Sequence, residues 1–211
     1  MCRLLYIRSK NLFPIKDHLQ KFAIIAKNSK EFQGHGWGCA YLVDNEWTIY
    51  KNIKPVWEDD LRSFGSTTVL IAHARSAFKD QDIHVQNNMP FFNGRYMYVF
   101  NGELHGVKIK ESGNIGAEKI FNFIQRFDSK DFRDAIQKGV SIIKKRSRYI
   151  KAMNIIIADK QNAYVTSDFH EDPEYFTLHY KKTPDDIIIS SEKYPEESQW
   201  QKLETNKIKV F

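Results

Sequence analysis

The sequence predicts an α+β fold of mainly antiparallel sheets covered by helices. Three observations carry this. Strand-prone runs fill the first and last thirds of the chain, two helical patterns stand side by side between them, and the strand–helix alternation of a doubly wound parallel sheet is absent. At 211 residues, 42% hydrophobic and 27% charged, the composition is that of a globular protein and fits a single domain spanning 1–211.

The elements follow in order. Residues 2–8 read as a strand, and 14–27 as a helix with Pro14 in its first turn and Leu19, Phe22, Ala23 and Ala26 on one face. A glycine-rich stretch, 34–38, precedes strands at 39–43 and 46–51, which the turn pair Asp44-Asn45 joins as a hairpin. Residues 67–75 and 96–101 are strongly strand-prone. Ala117, Ile120, Phe121 and Ile124 then recur at helical spacing after a cap at Asn114; Phe132, Ile136, Val140 and Ile143 do so after a cap at Asp128 or Ser129. Strands are expected again at 152–158, 163–166, 175–180, 187–190 and 207–211.

Several function classes are excluded early. No apolar run approaches the roughly 20 residues of a membrane-spanning helix. Two cysteines build no disulfide framework, and the start lacks a basic segment followed by an apolar one, so a soluble cytoplasmic protein is expected. The 32 basic and 26 acidic residues leave a net charge of +6, thinly spread. Its densest cluster, Lys144, Lys145, Arg146, Arg148 and Lys151, lies at a helix end, where cations complement the helix dipole. Without zinc spacing, an RNA-binding aromatic pair or a helix-turn-helix pattern, a nucleic-acid partner is not expected. His73, His84 and His105 lack metal-ligand spacing and read as structural; Trp37 reads as a packing residue and Cys39 as buried and inert.

The chemistry-bearing candidates begin at Cys2. Its small side chain makes Met1 a substrate for methionine aminopeptidase. Removal would leave a thiol, titrating near ~8.5, beside a free α-amine titrating near ~7.7–8. Nucleophile and general base would then share one residue; the alternative is a small buried residue of the first strand. In Phe100-Asn101-Gly102-Glu103-Leu104, the Asn101 amide and the Gly102 N–H are a donor pair of the kind a developing oxyanion needs, and equally a turn signal. Arg75 ends an apolar strand and offers a planar fork to a carboxylate, or to a strand-end salt bridge.

Together these segments resemble the class II glutamine amidotransferase family, a branch of the N-terminal nucleophile hydrolases. The opening Met1-Cys2-Arg3-Leu4-Leu5-Tyr6 is similar to that of stand-alone amidohydrolase members. Gly36-Trp37-Gly38 sits where the family has Asp-Gly-Trp-Gly, and Ala72-His73-Ala74-Arg75-Ser76-Ala77 resembles its arginine strand. Asn88-Met89-Pro90-Phe91, then Val99 to Gly106, resembles its Asn-x-His-Pro-Phe and His-Asn-Gly-Glu runs, and Ser190-Ser191-Glu192 its late Ala-Ser-Glu segment.

The resemblance implies a four-layer αββα sandwich. It implies Cys2 as nucleophile with its own α-amine as base, Asn101 and Gly102 as oxyanion hole, and a glutamyl thioester without metal or cofactor. It places Arg75, Ser76, Phe78 and Gly116 at substrate-binding positions, Arg75 on the α-carboxylate. The substrate would be glutamine or a γ-glutamyl compound, hydrolysed alone or with a synthase or peptidase partner subunit. The departures are Phe78 where the family has Thr, Gly116 where it has the Asp that binds the substrate ammonium, His35 for Asp, and Met89 for His. Phe78 makes the expected pocket less polar. Glu111 and Glu118 are the acids nearest to Gly116 in sequence. A cysteine amidohydrolase is therefore expected. The alternative is an inactive or partner-dependent binding or regulatory module with its pocket closed by Phe78.

Overall fold

The computed structural model describes residues 1–128 and 130–211. Strand β1 (Arg3–Pro14) leads straight into helix α1 (Ile15–Lys27), with Pro14 just before the first turn, where a missing N–H costs nothing. The buried stripe of α1, including Leu19, Phe22 and Ala26, is the one its spacing predicts. Strands β2 (Trp37–Val43) and β3 (Glu46–Asn52) form a hairpin whose two turn residues, Asp44 and Asn45, have φ of 49° and 60°, as a tight two-residue turn requires.

There follow β4 (Ser66–Ala74), β5 (Phe91–Phe92), β6 (Met97–His105), α2 (Gly116–Gln125), α3 (Phe132–Lys145), β7 (Tyr149–Ala158), β8 (Ala163–Phe169), α4 (Pro173–Phe176), β9 (His179–Lys182), β10 (Asp186–Ser190), β11 (Gln201–Lys202) and β12 (Ile208–Val210). They assemble into a seven-stranded sheet, β11-β9-β10-β1-β4-β2-β3, and a five-stranded sheet, β12-β8-β7-β6-β5. Every described pairing is antiparallel.

The strand period of two sorts side chains between layers. Leu5, Ile7, Leu70 and Ala72 point outward onto α1. Leu4, Tyr6, Val69 and Ile71 join Met97, Val99, Ile156 and Val165 in the other core cluster, between the sheets. On the far side Tyr98 stacks on Phe121 of α2, centroids 4.6 Å apart. The result is the four-layer αββα sandwich.

Three local expectations need correction. Asn114 does not cap α2; Ile115 holds that place without a side-chain hydrogen bond, and the Asn114 N–H donates to Glu118 instead. Helix α3 is capped by Asp131, whose carboxylate accepts from the Arg133 N–H at 2.8 Å, while Asp128 pairs with Arg95; Ser129 lies outside the described residues. The strand expected at 175–180 divides into α4 and β9, because Pro173 starts a helical turn. Two of the five clustered cations are paired, Lys144 with Asp168 at 2.6 Å and Lys151 with Glu103 at 3.7 Å. Among the described residues no helix is long and apolar enough to cross a membrane.

Candidate active site

The β1–β4 register sets Arg3 opposite Ala74, so Cys2 and Arg75 emerge at the same end of the large sheet. Cys2 has the parity of Leu4 and Tyr6, and Arg75 that of Ile71 and His73; both therefore face the gap between the sheets. Across that gap Asn101 has the parity of Met97 and Val99 on β6. Pleat and register thus bring residues 2, 75 and 101 toward one end of the sandwich.

Cys2 is half-buried on a cavity of about 310 Å³, and Ser76, Phe78 and Gly102 line the same cavity. Its thiol donates to the Ser76 carbonyl at 3.6 Å and accepts from the Ser76 N–H at 3.5 Å. Burial pushes the thiol pKa up; the N-terminal ammonium, the Ser76 N–H and Arg75 pull it back only in part, and Glu31 adds to the rise. Gly102 is required where it stands: a Cβ there would lie 2.3 Å from the Ala152 carbonyl oxygen across the ladder.

Asn101 and Arg75 are among the polar side chains at this end with unused hydrogen-bonding capacity. Asn101 is fully buried, and neither its amide nitrogen nor its amide oxygen has a partner. Arg75 is 5% exposed and its Nη1 has none. Burial lowers the guanidinium pKa, against the pull of Cys2 and Asp82. The Arg75 backbone is locked to the glycine turn, its N–H donating to Gly36 O and its carbonyl accepting from His35 N–H. Gly36 has φ of 101°, and a Cβ there would strike Asn88 Nδ2 at 2.2 Å, so this turn admits only glycine.

His35 also lines the cavity. Its Nδ1 accepts from the Ala77 N–H at 2.9 Å and its Nε2 lies 3.6 Å from Asp80, so it holds the segment that carries Ser76 and Phe78. Burial lowers its pKa, keeping Nδ1 available as an acceptor. Phe78 stands at the rim, 58% exposed, and does not close the cavity. Gly116 is the exposed first residue of α2 and is not among the cavity-lining residues. Nor are the two acids nearest to it in sequence: Glu118 accepts from Asn114 and Glu111 pairs with Arg126.

The acids that do line the cavity are Glu31, Glu103 and Asp80. Glu103 is engaged by His105 at 2.6 Å and Lys151 at 3.7 Å. Glu31 lies 3.4 Å from the Met1 ammonium, and the Met1 carbonyl accepts from Gln33 Nε2 and the Tyr175 hydroxyl. No motif marks Glu31, which arrives through the loop after α1. Glu103 was legible only as the continuation of the Asn-Gly pair. His73 is fully buried beside Arg75 in sequence, its ring nitrogens unpartnered; the Phe100 carbonyl lies near without reaching hydrogen-bond geometry. Trp37 and Cys39 are buried on the α1 side, as packing residues. A second cavity, about 290 Å³, lies between α3 and β8; it holds the Lys144–Asp168 pair and is lined by no cysteine or histidine.

No family model and no curated protein matches this sequence. Solved structures do. The chain superposes with a TM-score of 0.69 and 15% identity on a glutamine aminotransferase class-II domain protein from Silicibacter pomeroyi, covering 99% of this chain and 94% of that one. A predicted glutamine amidotransferase from Pseudomonas aeruginosa matches at TM-score 0.63 and 14% identity, over 100% and 97% of the two chains. The glutamine phosphoribosylpyrophosphate amidotransferase of B. subtilis matches at 0.64 and 16%, over 90% of this chain and 42% of its own; this chain spans less than half of that enzyme. The fold is therefore the one these class II glutamine amidotransferase structures share, the N-terminal nucleophile hydrolase fold.

Proposed function

We propose that this chain is a cysteine amidohydrolase that cleaves the side-chain amide of glutamine or of a γ-glutamyl compound through a thioester on Cys2. The carrying observation is a half-buried thiol on a cavity also lined by Ser76 and Gly102, whose chain neighbours Arg75 and Asn101, outside the lining itself, are buried with unpartnered polar atoms. An unmade buried hydrogen bond costs about 1–3 kcal/mol, and a charged group more. The substrate would complete both groups.

The roles follow from chemistry. With Met1 removed, the Cys2 α-amine takes the thiol proton and Sγ attacks the amide carbon. Negative charge gathers on the carbonyl oxygen, where the Asn101 amide and the Gly102 N–H serve as donors. The amide C–N bond breaks, the protonated α-amine returns its proton to the leaving ammonia or amine, and a glutamyl thioester remains. Water, activated by the same amine, releases the free carboxylate and regenerates the thiol. Arg75 receives the substrate's α-carboxylate in a two-point pairing. Glu31, which binds the Met1 ammonium in this structure, is the acid available for a substrate ammonium once Met1 is gone, in place of the one missing at Gly116.

A second reading has one specific observation behind it. With Met1 attached, the Cys2 nitrogen is an amide and no base, and Met1 is held by Glu31, Gln33 and Tyr175. A chain that keeps Met1 would be a non-catalytic or partner-dependent module. Release of ammonia or amine from L-glutamine and γ-glutamyl amides, by wild type and Cys2→Ala, separates the two. Turnover by the wild type and complete loss in Cys2→Ala is expected; near-wild-type turnover by Cys2→Ala would remove the nucleophile from the scheme.

A further inference from the structure

We infer that the preferred amide donor carries an aromatic amine as its leaving group, received between Phe32 and Phe78 at the cavity mouth. The inference rests on the amidohydrolase reading. Of the three exposed phenylalanines among the described residues, Phe32, Phe78 and Phe92, the first two line the one cavity that contains Cys2. They are 62% and 58% exposed. Neither ring is a loose tip. Phe32 meets His35 edge-on, centroids 5.2 Å apart, and lies over Gly34, where an added Cβ would sit 2.1 Å from the ring. Phe78 meets His105 edge-on at 6.5 Å. Each ring is braced by a neighbour and keeps more than half its surface open.

The cavity's lining places the thiol and the exposed rings on one site. Cys2, Ser76 and Gly102 line the cavity, and the buried Arg75 and Asn101 adjoin Ser76 and Gly102 in the chain without lining it; Phe32 and Phe78 are its two exposed rings. With the acyl carboxylate paired to Arg75, as the amidohydrolase reading has it, the leaving amine is the part of the donor left to meet the exposed rings. Ammonia would leave both rings unused; an arylamine ring fits them in stacked or edge-on contact. A cavity of about 310 Å³ lies at the lower end of the roughly 300–1,000 Å³ typical of small-molecule sites. The reaction balances as donor plus water giving the γ-carboxylic acid plus the arylamine, the C–N bond breaking at thioester formation.

The test compares γ-L-glutamylanilide, γ-L-glutamylethylamide and L-glutamine as substrates of the purified chain, wild type and Phe32→Ala/Phe78→Ala. Because an anilide is intrinsically more reactive, the readout is the anilide-to-ethylamide ratio of kcat/KM in wild type divided by that ratio in the double variant. Two aromatic contacts predict a quotient of about tenfold, and the exposed positions leave folding intact, checked by an unchanged thermal midpoint. A quotient near one, with amides still hydrolysed, overturns the aromatic donor and leaves the amidohydrolase standing; so does a rim that governs only binding of another protein. Absence of turnover on all three amides, with an unreactive Cys2, overturns both.

Discussion

Two polar clusters flank the same large sheet and differ in one respect. On the α1 side, Asp59 Oδ2 accepts hydrogen bonds from Trp37 Nε1, the Tyr50 hydroxyl and Asn52 Nδ2, each at 2.8 Å. On the inner side, Asn101 has no partner for either amide atom and Arg75 has none for Nη1. The first cluster is complete and holds shape. The second is incomplete within the protein, and under the proposed function a ligand with a carboxylate and a polarised carbonyl completes it. The contrast marks Arg75 and Asn101 because they adjoin the thiol's cavity; unpartnered groups elsewhere, such as the Tyr98 hydroxyl, carry no such neighbour.

Perturbing each cluster should move a different observable. The largest effect is expected from Asn101→Ala, which removes an oxyanion donor: kcat should fall about 10²–10³-fold. The urea midpoint should shift little, because that amide bonds nothing in the protein. Arg75→Met should raise KM for glutamine by roughly 10–100-fold, the worth of a charge-assisted pairing. Its thermal midpoint should hold or rise, since an unpartnered buried charge is replaced by an apolar chain. A drop in stability with unchanged KM would make Arg75 structural. Asp59→Ala should do the reverse, costing about 1–3 kcal/mol of stability in denaturant titration with kcat nearly intact.

The smallest contrast is in pH dependence. Burial lowers the His73 pKa to about 3, with Arg75 adding to the fall. In the unfolded chain the ring takes a proton below about 6.5; in the fold it stays neutral until about 3. The unfolded state therefore binds the extra proton across that window, and stability falls as pH drops from 6.5 toward 3. Burial likewise raises the Asp59 carboxyl pKa, but the donors from Tyr50, Trp37, Asn52 and the Asp60 N–H outweigh it and hold it low. Its contribution is present above the ordinary Asp range and is lost only at more acid pH. His73→Gln should flatten the decline in denaturant midpoint between pH 7 and 4.5.

Much of this was legible in the residues. The Asp44-Asn45 hairpin, the α1 stripe and the two middle helices rest on local periodicity and turn chemistry, which sequence carries directly. So did Cys2, Arg75, Asn101 and Gly102, each at a strand end or beside a glycine. What was hidden depends on long-range placement. Glu31 and Phe32 reach the cavity because the loop after α1 folds back over the start of β1. Lys151 does so because it falls at the register shift of the β6–β7 ladder, between Ala152 opposite Glu103 and Ile150 opposite Leu104. The helix caps were misread by one to three residues because several Asp, Asn and Ser compete near each start. Phe78 was legible as a departure from a family pattern, but its exposure at the rim was not.

Cys2 as the nucleophile is tested most directly by intact mass before and after incubation with 6-diazo-5-oxonorleucine, a glutamine-shaped thiol alkylator, followed by peptide mapping. A chain lacking Met1 and carrying one adduct, mapped to Cys2 and absent in Cys2→Ala, is the expected result. A chain that retains Met1 and takes up no label, or takes it up equally in Cys2→Ala, would contradict an N-terminal thiol nucleophile.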